Sequence, residues 1–265
     1  MEHTKDSLRN LAAALILISV LALLASMALA APQGPNVINI SNTGRNPANT
    51  NPISVQAEAG NVTELVIDGT RVTMAWQGYL GNITGIITLD DADNFTLYDW
   101  NLPDPSGEIY ASNGSSVTWT RIFCINVSQN GSTPIRPGGI VSSINGSQIE
   151  MNFGINITDP DGLNETFTSF YNDTEGFQVG TNTINNADGC SLAHSYTNEA
   201  SDANWNELLL SDNSSLIFTA LLRQNANSYK PGAADTADFQ MLVLENGHEG
   251  HDGAATPYYF YVELE

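Results

Sequence analysis

From residue 53 onward, short apolar runs alternate with Gly, Asn, Asp and Pro. "ISVQAEA", "VTELVID" and "RVTMAWQGYL" come first, parted by "GN" and "GT". "ITGIITL", "FTLYDW", "GEIYAS" and "SVTWTRIFCINV" follow at short spacings. β-branched and aromatic residues dominate these runs, which therefore predict strands. Period-two alternation is clearest in "TPYYFYVELE". There Tyr258, Phe260, Val262 and Leu264 share one face, with Tyr259, Tyr261 and Glu263 on the other. "SSLIFTALLRQ" and "DFQMLVLE" are apolar on both faces and predict central strands. Helical signal is confined to "NWNELLLSD", read as one or two turns, and to the ambiguous "SQIEMNFGIN". The pattern predicts an all-β chain: a β-sandwich of roughly 8–12 strands, immunoglobulin-like or jelly-roll-like.

The beginning of the chain reads differently. Lys5 and Arg9 sit in a polar head, and an apolar run from Leu11 to Ala30 ends in "SMALA". Small residues at Ala28 and Ala30 set a cleavage point before Ala31, so residues 1–30 read as a secretory signal peptide forming a helix. The rival reading is an uncleaved anchor, since about 20 apolar residues span a bilayer. Residues 31–52 are rich in Pro, Asn and Gly and read as a linker. "NVINIS" within it is a segment from which a strand could be donated to another subunit. Residues 53–265 then form one domain. A stretch at about 129–200, rich in Asn, Gly, Ser and Asp, reads as a loop-rich insertion.

Export changes how the polar residues are read. Asn-x-Ser/Thr triplets begin at Asn39, Asn61, Asn82, Asn94, Asn113, Asn126, Asn130, Asn145, Asn156, Asn164, Asn172 and Asn213. With 29 Asn, and 44 Ser or Thr among 265 residues, chance would give about five such triplets. The excess predicts N-glycan acceptors. None follows Asn213, so the apolar strands of the last fifty residues read as core or subunit interface. Cys124 and Cys190 are the two cysteines of the chain, and outside the cell they are expected to form a disulfide.

The net charge of −21 disfavours nucleic acid and anionic membranes as partners. Membrane contact would come only through an uncleaved signal segment. Acidic loops at Asp90–Asn94 and Asp159–Glu165 offer oxygen ligands for calcium, with Asp159 and Asp161 the candidate ligands. Neither fits the twelve-residue calcium-loop pattern, and Asx residues favour turns on their own account. Asn94 and Asn164 also begin triplets, which competes with a ligand role. His248, Glu249, His251 and Asp252 fall in a Gly-punctuated loop whose spacing is wrong for a zinc-protease helix. No cofactor is expected.

A Gly-x-Ser-x-Gly elbow and a phosphate loop are both absent, and no catalytic residue is assigned. The chain is read as a non-enzyme. Trp76, Tyr79, Tyr98, Trp100, Tyr110 and Trp119 read first as sandwich core, with sugar stacking as the rival.

Several stretches taken together, "WQGYLGNITGIITLDDADNFTLYDW", "GEIYASNGSSVTW", "SLIFTALL", "DFQMLVLENGH" and "YYFYVELE", carry a likeness. The chain resembles an uncharacterised family of secreted and cell-surface proteins found mainly in archaeal genomes, over nearly the whole length that follows residue 30. The resemblance implies an archaeal cell exterior, where Asn-x-Ser/Thr glycosylation is common, and it transfers no functional residue. The expectation is an extracellular glycoprotein with a structural role. It would be a self-assembling filament, pilus-like or surface-layer subunit whose partner is itself. The alternatives are an adhesin or carbohydrate-binding module and, behind both, a secreted hydrolase.

Overall fold

A computed structural model of the chain describes residues 31–40, 54–65, 73, 75–90, 95–127, 146–195, 205–230, 233–245 and 255–265. The expected signal peptide, Asp91–Asn94, Asn130, Asn145 and the His248–Asp252 loop lie outside these residues. The described chain is mostly β, in open sheets.

The strands are β1 (Trp76–Gly81), β2 (Gly85–Asp90), β3 (Thr96–Leu102), β4 (Gly107–Ser112), β5 (Phe123–Cys124), β6 (Ser169–Phe170), β7 (Phe177–Val179) and β8 (Asn182–Ile184). They continue as β9 (Ser191–Ser195), β10 (Trp205–Ser211), β11 (Leu216–Leu221), β12 (Ala226–Lys230), β13 (Ala233–Ala237), β14 (Phe239–Leu244) and β15 (Tyr259–Leu264). Two short helices, α1 (Gly146–Asn152) and α2 (Leu163–Thr166), lie between β5 and β6. Fifteen strands among the described residues exceed the eight to twelve expected, because several are only two or three residues long. No helix among the described residues is long and apolar enough to cross a membrane.

One seven-stranded antiparallel sheet runs β15-β4-β11-β10-β9-β6, with β5 pairing the end of β10. Both of its faces are covered. On one face, Ile109, Ala111, Leu209, Phe218 and Ala220 meet Met241 and Val243 of β14, together with Ile149 of α1 and Leu163 of α2. On the other, Tyr110, Leu192, Leu208, Leu210 and Ile217 meet Phe177, Val179 and Ile184 of the β7–β8 hairpin. Neighbouring residues of β10 and β11 thus enter opposite cores, as period-two geometry requires.

Two sequence expectations change here. "NWNELLLSD" forms no helical turn: it is β10, a central strand with Leu208 and Leu210 on one face and Leu209 on the other. A short apolar run is ambiguous between helix and strand, and burial on both sides decides it. "DFQMLVLE" is not a central strand of the large sheet. As β14 it pairs with β1 in a two-stranded ribbon whose apolar side lies over that sheet. Within the stretch expected as a loop-rich insertion, β6 and β9 join the large sheet. "SQIEMNFGIN" resolves as α1 and the turn after it.

The expected disulfide is present: Cys124 is bonded to Cys190 across a sequence separation of 66, with Cα atoms 4.7 Å apart. It sits in the second core beside Leu208 and Leu210. The Asn-x-Ser/Thr-free C-terminal strands contribute core residues, with Met241, Val243 and Leu244 all buried.

Candidate functional site

Antiparallel pairing of β4 with β15 sets Glu108 directly opposite Glu263. Like charges at such a position repel, and burial makes two ionised carboxylates untenable. Both residues are buried, as is Tyr110 between them. The Tyr110 hydroxyl donates to Glu263 Oε2 at 3.0 Å and lies 3.5 Å from Glu108 Oε2. The Gly180 N–H donates to both Glu263 oxygens, at 3.0 and 3.1 Å. Burial pushes the Glu108 carboxyl up to about 9, helped by the charges of Glu265 and Glu263 and opposed by the Tyr110 hydrogen bond. Burial also raises Glu263, while the Gly180 N–H and the Tyr110 hydroxyl pull it back. The pair therefore holds at least one proton at neutral pH. Sequence reading did not single out this cluster. Its signal was a Glu at an inward strand position in both "GEIYAS" and "YVELE", which becomes visible only once the register is known.

Two of the other buried carboxyls, Glu207 and Glu150, tie neighbouring elements together. Glu207 of β10 reaches β14, where its Oε2 accepts the Leu242 N–H at 2.8 Å. Burial raises its pKa well above the usual range, against that one hydrogen bond. Glu150 of α1 accepts the Asn164 N–H at 3.2 Å and so serves the start of α2. Its pKa is also raised, by burial first, against N–H groups of Asn164 and Leu163.

The Asp159–Asp161 loop joins these two helices, and the Asp161 carbonyl accepts the Trp76 indole N–H at 2.7 Å. Glu150, a buried carboxyl of α1, is engaged by backbone donors of α2. Among the described residues no group of three or more His, Cys, Asp or Glu side chains is arranged to hold a metal ion.

The glycan acceptors differ in access. Asn39, Asn61, Asn82, Asn113, Asn156, Asn172 and Asn213 are exposed, while Asn164 is half-buried. Asn126 is only 5% exposed, so a sugar has no room there in the folded chain. Asn164 Nδ2 lies 3.4 and 3.5 Å from the Glu150 oxygens, contacts that a sugar would disturb. Asn213 sits at the β10–β11 turn with φ of 80°. Asp212 holds this turn: its Oδ1 accepts the Ser214 and Ser215 N–H groups at 2.9 and 2.7 Å, and its Oδ2 accepts the Thr118 N–H at 2.8 Å. Burial alone would raise the Asp212 pKa, but these donors lower it.

The aromatics divide. Trp76 packs against Phe167 and Phe218, Tyr79 against Phe260, and Trp119 against Tyr110 and Tyr261. Tyr98 and Trp100 do not follow the core expectation, being 71% and 50% exposed. They lie on the β2–β3 ribbon, where Leu89 pairs with Tyr98 and Ile87 with Trp100 on one face. Thr88 with Asp99 and Ile86 with Asn101 form the other. The ribbon is amphipathic, and its apolar face meets solvent.

The chain matches no protein-family model, no curated protein and no solved structure.

Proposed function

We propose that this chain is a secreted, N-glycosylated structural protein of the cell exterior, of archaeal type, that assembles with copies of itself. The observation that carries the reading is the β2–β3 ribbon, with Ile87, Leu89, Tyr98 and Trp100 side by side and exposed. A two-stranded ribbon is marginal alone, and a contiguous apolar face in water is a mark of association. The strands themselves carry no acceptor Asn, whereas Asn82 and Asn94 flank them, so sugars would border this face without covering it. Among the described residues no further strand pairs with either edge of the ribbon, which lets an identical ribbon add to it strand by strand. The covered faces of the large sheet are read as an incomplete sandwich that displays this arm.

The test is assembly. The exported protein, purified from the cell exterior, should form filaments or sheets in negative-stain microscopy. Leu89→Asp with Trp100→Asp should leave a folded monomer by light scattering. A glycosylated wild-type chain that stays monomeric at high concentration would sink the proposal.

A second reading has its own observation: Tyr98 and Trp100, exposed on one face, form a platform on which sugar rings could stack. Glycan-array binding lost in Trp100→Ala, with the melting temperature unchanged, would favour an adhesin over a subunit.

A further inference from the structure

Ala31, the residue after the expected cleavage point, reaches the Glu108–Tyr110–Glu263 cluster through a single intermediary. A Cβ at Gly180 would stand 3.7 Å from the Ala31 Cα and 3.9 Å from both the Ala31 Cβ and the Pro32 Cδ. Gly180, at φ of +59°, is the residue whose N–H both Glu263 oxygens accept. A side chain there would be strained by that backbone conformation, and its Cβ would lie in ordinary van der Waals contact with Ala31. Two residues on, Gln33 and Val262 exchange N–H···O=C bonds of 3.0 and 2.8 Å. Continuing that antiparallel register sets Pro32 opposite Glu263, and Pro32 is buried. Pro32 and Gln33 are therefore held against the sheet, with Ala31 exposed beside Gly180, and the segment runs out exposed at Val37, Ile38 and Ile40.

The cluster it approaches consists of acids. Glu108 and Tyr110 of β4, Glu263 of β15 and the following Glu265 act on one another there, with the Gly180 N–H as the backbone donor. Among the described residues no cation contributes to holding either Glu108 or Glu263. In the uncleaved chain the Ala31 nitrogen is a neutral amide. Hydrolysis of the Ala30–Ala31 bond consumes one water and leaves a carboxylate on Ala30 and an ammonium on Ala31. An α-amino group titrates near 8, so it is mostly charged at neutral pH.

We propose that Glu263, with Glu108 and Tyr110 behind it, is the binding site for the α-ammonium group that cleavage before Ala31 creates. Removal of the signal segment then adds a charge contact to a segment that already pairs with β15 through Gln33. Until then the precursor carries the carboxyl pair without its counter-charge. This rests on the export reading and its cleavage point.

The experiment compares the chain beginning at Ala31, which contains every described residue, with the same chain N-acetylated. The free amine should raise the melting temperature at pH 7 by about 3–6 °C, and Glu263→Gln should abolish the difference. NMR titration of the Ala31 amine, in the unmutated chain, should place its pKa about one unit above the ordinary value of about 8. Equal melting of the two forms, or an amine that titrates at its ordinary value, overturns the site. N-terminal sequencing of the exported protein is the separate check. A first residue other than Ala31 sinks the cleavage reading itself, whatever the melting curves show.

Discussion

The β10–β11 pair and the β2–β3 ribbon are both antiparallel hairpins rich in Leu, Ile and aromatic residues. In the first, Leu208, Leu209, Leu210, Ile217 and Phe218 are completely enclosed. In the second, Ile86, Leu89, Leu97, Tyr98 and Trp100 are at least 49% exposed. Local pattern does not separate them; what separates them is what arrives from elsewhere in the chain. The β1–β14 ribbon and α1 come to one face of β10–β11, and the β7–β8 hairpin with the disulfide to the other. Nothing comparable covers β2–β3 among the described residues. Apolar content reports a capacity for burial, and topology decides whether it is used within one chain.

The sharpest way to break this comparison is one truncation on each side. Phe218→Ala should cost about 3–5 kcal/mol in urea unfolding, as large core aromatics do. Trp100→Ala should stay within about 0.5 kcal/mol of the parent chain. Equal losses would mean that the ribbon is packed in solution.

The buried side has a second anchor. Cys124 pairs in register with Leu210 of β10, and its bond to Cys190 closes a 66-residue separation. Replacing both cysteines with Ser should lower stability by about 4 kcal/mol on the chain-entropy account, measured under non-reducing conditions.

Charge gives the next contrast. Glu108 has a folded-state pKa of about 9, above its unfolded value of 4.5. Its folded form therefore binds the extra proton, so its contribution is full below the unfolded pKa and is lost as pH rises through the folded one. Stability should decline from about pH 5 to pH 9, by at most about 1.4 kcal/mol per unit from this group. Glu108→Gln should flatten that slope in melting curves across pH, whereas Asp99→Asn on the exposed ribbon should leave it unchanged. Smallest in energy is glycan occupancy. Mass spectrometry of the exported protein should find sugar on Asn113 and Asn213 and none on Asn126.

Much of the frame was legible in the sequence, for identifiable reasons. The facing of Phe260 and Val262 against Tyr261 followed from strict alternation, because a strand with one residue per side leaves no other assignment. The Cys124–Cys190 bond followed from there being only two cysteines. "NWNELLLSD" was misread because three successive Leu suit a buried helix turn and a two-sided strand equally well. The Glu108–Glu263 pair was invisible because it needs the register between strands more than 150 residues apart. Trp76 and Trp100 look alike in sequence, and only the arrival of Phe167 and Phe218 distinguishes them.

The Cys124–Cys190 bond also bears on wear. It brackets α1, α2 and the strands β6 to β8, while β10, pinned to β5 on one side of the bond and to β9 on the other, lies outside the bracket. A protease that cuts the backbone anywhere between the two cysteines severs one connection and leaves another, so the fragments stay a single covalent object. In the exported protein proposed above, damage at this stretch would be retained as a nick. It would become a loss only when a reductant arrives.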